Sequence, residues 1–599
     1  MGKTLLLLDL THADRYRTFR NENFPFLRAL LPTLGVPTHR ISVALAEEPG
    51  HDALLRDVEP ADRPRLLDAL ARHQPTHVLV NERIAPETWQ TWKAALPLAI
   101  FRTVQDGDVR FVLADTCDWL GLDGAAVRDA QLGPEETLTP DFHSEVVGEA
   151  ILRIRPLLHL LVGPLCAYRR PLAQNPLYES LDLSGFVRHD ACAFCGTPDP
   201  AGRIPQTGAV QLALRQILAA EATAPWQLHD RDYVVRGAQL LPQLDGFLRA
   251  LIDHALPPST FRVSARLDEL LRVAKRLRPL LPEFARHGHR LHVWSIGIEN
   301  FSPAENQRLA KGLTQDEVHS GVALALDLQR EFPAAFHIEE FSSILYTPWT
   351  TLEDLRLNIA GYRQHGLDSR AFFYGQRQLQ ILPDRPIAAL ARADGLLARQ
   401  FDDLPGEAAC LVMWGQQQLP WRFKHPQVAL VAAVARRLGP AQSVPPGDAA
   451  LRAVAAWRAS LPAQKQDRLD ILEALAQAAA DAPEDLSLQG ILARAGRLLG
   501  VRGTLLWPKL AGALPRLAPV AGLRVQRATA LQGGLELEVS GPSLDLRVRI
   551  APARPQQAAL ASHAGLALHL PGHEAISAGQ KQALTQLLAA VVATARQLK

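Results

Sequence analysis

The chain has 599 residues, 47% of them hydrophobic and 21% charged, a composition that excludes a largely disordered protein. Its 64 Lys and Arg stand against 62 Asp and Glu, so there is no bulk charge to draw nucleic acid or an anionic membrane, and neither is an expected partner. At this length about two to four domains are expected.

The leucine run at 5–8 is ended by Asp9 and is too short for a signal segment or a membrane span, so it reads as a buried first strand. No later run reaches the roughly 20 apolar residues of a spanning helix, and a cytoplasmic protein is expected. Residues 1–150 alternate strand-like and helix-like stretches at 4–10, 24–34, 40–45, 64–72 and 77–81, the pattern of a Rossmann-like doubly wound sheet. The strand at 77–81 ends in polar residues, as cofactor-binding strands of such sheets do. A helical connector is expected over 146–161. A second alternation follows, with strands at 177–183, 226–229, 261–265, 291–298, 335–339 and 370–374. Helices are expected between them at 208–220, 238–254, 267–286, 315–331 and 352–365. Successive β/α units over 151–435 predict a partial (β/α) TIM-type barrel. Breakers from Gly439-Pro440 to Pro445-Pro446-Gly447 mark a boundary. Beyond it, strands at 503–507, 535–539, 544–550 and 566–570 and a helix at 579–598 predict a small α+β domain over 445–599.

The five cysteines, Cys117, Cys166, Cys192, Cys195 and Cys410, are too few for a disulfide framework. Cys192 and Cys195 stand three apart. A structural zinc would need two further Cys or His at closed-site spacing, and the sequence has no second such pair. Ser184, Asp230, Arg266, Glu299 and Glu340 fall at or just after expected barrel strands, where barrel enzymes place their sites. An Arg or Glu there also fits a solvated loop or a buried ion pair. There is no G-x-G-x-x-G, phosphate loop, H-E-x-x-H or G-x-S-x-G, and Trp349 and Trp421 read as packing aromatics.

Several segments, in chain order, carry a family resemblance. They are Asp182-Leu183-Ser184-Gly185 leading into Cys192-Ala193-Phe194-Cys195-Gly196; Leu228-His229-Asp230-Arg231-Asp232-Tyr233; and Phe261-Arg262-Val263-Ser264-Ala265-Arg266. Further on come Ser295-Ile296-Gly297-Ile298-Glu299-Asn300-Phe301-Ser302 with Asn306 and Lys311-Gly312-Leu313-Thr314, and Ile344-Leu345-Tyr346-Thr347-Pro348-Trp349-Thr350-Thr351. Together they resemble the radical S-adenosylmethionine superfamily, in the type that carries an N-terminal cobalamin-binding domain, over roughly residues 176–425. The resemblance implies that Asp230, Ser264, Arg266 and Glu299 hold the amino acid and ribose parts of S-adenosylmethionine.

It also implies a four-iron, four-sulfur cluster held by C-x3-C-x2-C. Cys192 and Cys195 match the second and third cysteines, but the first position is Arg188, which cannot ligate. Two replacements are open, His189, giving H-x2-C-x2-C, and Cys166; imidazole can ligate cluster iron, and His189 also reads as an ordinary loop histidine. The lower-ligand motif D-x-H-x-x-G of cobalamin proteins is absent from 1–150, since Asp9 and His12 have the wrong spacing. Cobalamin would then be held by the cleft without a protein histidine, or the domain is a relic that no longer binds it. The function implied is a cobalamin-dependent methyltransferase or a related carbon-centred modification in specialised natural-product biosynthesis. It would act on a small-molecule or peptide substrate with an electron-donor protein. The alternative is a degenerate barrel that has lost cluster chemistry and serves as a binding or scaffolding subunit.

Overall fold

The computed structural model describes residues 2–11, 23–46, 57–81, 86–104, 109–132, 134–153, 157–162, 168–186, 190–195, 208–223, 231–236, 242–373, 377–398, 419–439, 449–461, 467–484, 487–499, 513–531, 534–541, 544–552, 561–563, 566–569 and 577–597. It divides into two compact units. One is built from Met1–Pro171, Asp190–Ile298 and Leu313–Ser342, the other from Leu172–His189, Glu299–Gly312 and Ser343–Lys599.

In the first unit Leu5–Thr11 (β1), Thr38–Ala44 (β2), His77–Val80 (β3), Ile100–Thr103 (β4) and Glu145–Val147 (β5) form a parallel sheet in the order β4-β3-β1-β2-β5. Every residue of β1 is buried, because the sheet has a core on each face. Leu6, Leu8 and Leu10 pack with Ile41, Val43, Val78 and Val80, while Leu5 and Leu7 pack with Phe24, Leu27 and Leu113. That double burial explains the unbroken leucine run. The chain steps from β1 to β2 on one side and returns to β3 on the other, so the strand order reverses at β1. In open α/β sheets such a reversal opens a crevice at the carboxyl ends of the strands.

The helix expected over 146–161 does not form. β5 is followed by a 3-10 turn, Ala150–Arg153, and by a new strand, Leu158–Leu161 (β6). Pro156 lies between them, and a proline there would remove a helical donor and clash with the preceding turn. β6 opens the second sheet, joined by Arg231–Arg236 (β7), Ser259–Arg266 (β8), Arg290–Glu299 (β9) and Phe336–Ile338 (β10) in the parallel order β10-β9-β8-β7-β6. Phe341–Ser343 (β11) also pairs with β9. Neighbouring strands are here consecutive in sequence. Right-handed crossovers therefore set the helices Ala209–Thr223, Leu244–Asp253, Leu267–Leu277 and Gln315–Glu331 side by side on one face. The expected helix over 267–286 breaks at Arg278–Leu280 and restarts as Leu281–Arg286 with Pro282 in its first turn. Gln315–Glu331 starts where expected because Thr314 and Glu317 form a reciprocal capping box.

Two expected strands are corrected. Residues 177–183 form turns: Leu177 N donates to Asn175 Oδ1, and Tyr178 OH donates to the Arg308 carbonyl. Residues 369–373 form a 3-10 turn, with Arg370 N donating to Asp368 Oδ1. Both segments satisfy their polar groups locally, which competes with strand pairing. The expected strands at 226–229 and 503–507 lie outside the described residues.

The second unit holds the helices Leu352–His365, Pro386–Ala393, Pro426–Leu438, Ala449–Ser460, Arg468–Asp481 and Leu488–Leu498. Its antiparallel sheet comprises Arg524–Leu531 (β12), Gly534–Gly541 (β13), Leu544–Pro552 (β14), Ala561–His563 (β15) and Leu566–His569 (β16), in the order β12-β13-β14-β16-β15. The last helix, Ala578–Gln597, packs Leu584, Leu587, Leu588 and Val591 onto Leu535, Leu537, Val548 and Ile550 of that sheet. Among the described residues no helix is long and apolar enough to cross a membrane.

Candidate functional site at the strand ends of the second sheet

Side chains alternate across β8. Phe261 faces the helices, stacked on Tyr233 at 5.4 Å and edge-on to Phe247 of the helix Leu244–Asp253 at 5.2 Å. Arg262, Ser264 and Arg266 therefore occupy the opposite face. That face is ionic where barrel interiors are usually filled by branched aliphatics. Arg262 donates to both oxygens of the buried Asp232, at 2.8 and 2.9 Å. Glu339 approaches Arg262 at 3.6 Å and His292 Nε2 at 3.0 Å, and His337 meets His292 edge-on at 4.8 Å. Burial, followed by the nearby Arg262, holds the His292 pKa down at about 4, so the imidazole is neutral near pH 7.

One register step above this floor, Val263 pairs with Val293 but Ser264 pairs with Ser295, leaving Trp294 as the extra residue of a β-bulge. The bulge brings the Trp294 indole N–H onto the Ser264 hydroxyl. Strand β8 then runs without a loop into the helix Leu267–Leu277, with Arg266 at the junction as its N-cap. Arg266 is 8% exposed. It donates from Nε to Asp268 Oδ1 at 3.0 Å and from Nη1 to Cys192 Sγ at 3.4 Å, and its guanidinium lies 4.0 Å from the Tyr168 ring centroid. Cys195 N donates to the Cys192 carbonyl at 3.2 Å, closing a tight turn. Neither cysteine forms a disulfide among the described residues, and both are half-buried. Glu269, in the first turn of the following helix, has its pKa raised, first by burial and then by Asp268.

The sequence-derived candidates are thus placed unequally. The structure brings Cys192 together with Arg266, sets Ser264 one layer below, and puts Cys195 in the same turn as Cys192. Glu340 is exposed and its carbonyl accepts from Ile296 N at 3.1 Å. His189, Asp230, Arg188 and Cys166 lie outside the described residues. Ser184 and Glu299 belong to the second unit. Ser184 is exposed and bonded to Asp182. Glu299 is buried, accepts from Lys311 Nζ at 2.6 Å, and has a backbone φ of 56°, a left-handed conformation that is strained for a non-glycine residue.

The same unit holds a carboxylate that sequence reasoning missed. Glu305 is fully buried, accepts from Thr347 Oγ1 at 2.8 Å and Arg308 Nη1 at 3.0 Å, and is pushed up to about 7, chiefly by burial. Tyr168, Trp294 and the polar network of Asp232, Arg262, His292 and Glu339 were missed too. Only the i, i+2 alternation of Arg262, Ser264 and Arg266 signalled a polar strand face. Trp349 and Trp421 are buried packing aromatics, as expected.

Donor chemistry gives the test of fit for each cofactor. Two thiols of one turn, beside a guanidinium, suit a soft iron site; among the described residues no three Cys, His, Asp or Glu side chains converge as a metal site. In the first sheet, beside the carboxyl half of β1, the buried Asp9 accepts from Arg40 Nη2 at 2.5 Å and from Asn81 Nδ2 at 3.1 Å. Arg40 Nη1 and Thr11 Oγ1 are buried there without a partner. That unused hydrogen-bonding capacity fits a polar ligand at these strand ends.

Fold and site define a parallel α/β protein with a cysteine pair at the strand ends of its second sheet. No known protein family matches the chain, and no curated protein does. Among solved structures it is similar to the cobalamin-dependent S-adenosylmethionine radical enzyme OxsB, in its selenomethionine-labelled apo form and with aqua-cobalamin and S-adenosylmethionine bound. In both cases identity is 12%, the TM-score is 0.48, and the alignment covers 86% of this chain and 81% of the other.

Proposed function

We propose that the chain is a radical S-adenosylmethionine-type enzyme, a cobalamin-dependent methyltransferase or related carbon-modifying enzyme of natural-product biosynthesis. Its domains would be a Rossmann-like domain over 1–150, a partial barrel over 151–435 and an α+β domain over 445–599. The observation that carries the reading is the Cys192–Cys195 turn, set against Arg266 at the carboxyl end of β8. In this reading Cys192 and Cys195 hold two irons, with His189 or Cys166 supplying a further ligand. A cluster held there would supply one-electron reducing chemistry toward S-adenosylmethionine. Ser264 and Asp230 would orient that cofactor, and Trp294 with Ser264 would wall the site beneath it. The polar crevice around Asp9, Arg40, Thr11 and Asn81 would receive cobalamin with no protein histidine on the metal.

Anaerobic reconstitution of the full chain tests this. Iron and sulfide at about four per chain, lost on Cys192→Ala or Cys195→Ala, is the expected result; iron near zero in the unaltered chain overturns it. Iron unchanged in His189→Ala moves the further ligand to Cys166. Hydroxocobalamin retained through gel filtration, with a base-off spectrum, supports the corrinoid half, and its complete loss removes cobalamin while leaving the barrel reading intact.

A further inference from the structure

We propose that Arg266 is the positioning residue that holds and orients the Cys192 sulfur; its bearing on a cluster rests on the function proposed above, while the contact itself does not. The guanidinium is fixed on three sides. Asp268 takes its Nε edge at 3.0 Å, the Tyr168 ring lies at 4.0 Å from its carbon, and its backbone is the rigid junction between β8 and the following helix. With those constraints in place, Nη1 is aimed at Cys192 Sγ at 3.4 Å.

An arginine so fixed loses little freedom on donating and remains charged at any working pH. A charge-assisted bond from a fixed donor holds the sulfur in one direction. Hydrogen bonds to the sulfur ligands of a cluster raise its reduction potential. Arg266 thereby acts through Cys192 and not on the carboxylate of S-adenosylmethionine, the role that the family resemblance implied for it. The stacked Tyr168 is the platform that sets the angle of approach.

Two readouts on the full chain test this. In the metal-free protein at pH 7, iodoacetamide modification of Cys192, measured by mass spectrometry relative to Cys195, should slow about tenfold in Arg266→Met, the scale of a lost bond to a charged group. Arg266→Lys should restore part of the rate. In the reconstituted protein the cluster potential should fall in Arg266→Met and lie between the two in Arg266→Lys. An unchanged Cys192-to-Cys195 ratio overturns the proposal. So does a loss of S-adenosylmethionine binding in equilibrium dialysis with that ratio unchanged, which would return Arg266 to the cofactor. Should Arg266→Met fail to fold, Tyr168→Leu decides by the same ratio, a several-fold fall supporting the proposal and no change overturning it. A wild-type chain that takes up no iron removes the cluster reading alone, since the metal-free ratio still judges Arg266.

Discussion

The two parallel sheets of the first unit are built from the same kind of unit and bury opposite chemistries. In β1 to β5 the strand order reverses, both faces carry a leucine and valine core, and Asp9 of β1 and Arg40 of β2 form a fully buried ion pair within it. In β6 to β10 the order runs one way, helices pack on one face, and the other bears Asp232, Arg262, His292 and Glu339. Winding direction thus decides where polar groups can go. A sheet covered on both sides holds few of them, and those it holds are paired, whereas a sheet wound in one direction can line a whole face with them.

The largest effect expected of a single substitution lies in the first sheet. Asp9→Ala leaves Arg40, 2% exposed, as a buried uncompensated charge, which costs about 3–5 kcal/mol; urea unfolding should show it, and a loss below about 1 kcal/mol would mean that the crevice is wetter than the core around it.

An intermediate effect comes from the helix-covered side of the second sheet. His289 is 1% exposed, packs on Phe284 at 4.9 Å, and has neither ring nitrogen partnered. Burial, then His287, lowers its pKa to about 4. The unfolded chain therefore binds this proton near pH 6.5 and the folded chain does not. The stability this neutral ring permits is fully present above pH 6.5 and is lost as pH falls toward 4, by up to about 3 kcal/mol. His289→Phe should flatten that part of the acid limb, and parallel wild-type and variant curves from pH 7 to 4 would refute the assignment.

The smallest change is expected where the ions are most numerous. Replacing Asp232 and Arg262 together by Leu and Met should alter stability by only about 1 kcal/mol in either direction, because burying a paired charge gains little over an apolar pair of similar size. A loss of several kcal/mol would show instead that the ionic floor holds the sheet together. Asp232→Leu alone should cost more than the double change.

Some of this was legible in the sequence. The helices Gln315–Glu331 and Leu352–His365 fall at their expected ends, because Thr314, Thr351 and Gly366 provide local caps that need no tertiary partner. The strands from Phe261 and Leu291 were legible through runs of alternating or continuous apolar residues. Strand β6 was not, since Leu157 to Leu161 is equally apolar as helix or strand and only pairing with β7 settles it. The turn at 177–183 was misread for the converse reason: its apolar residues Leu177, Tyr178, Leu181 and Leu183 suggested a strand, while its backbone is satisfied by Asn175 and by the turn itself.

By itself, then, the sequence determined the two parallel α/β stretches, the capped helices and the cysteine pair at 192 and 195, because periodicity, caps and spacing are local properties of the chain. Only the tertiary structure decided which cation meets Cys192, that Trp294 is bulged onto Ser264, that Glu299 is paired with Lys311, and that Glu305 is buried near neutrality. Each of those depends on register and burial, which join residues from about 12 to 74 positions apart and leave no periodic trace in the chain.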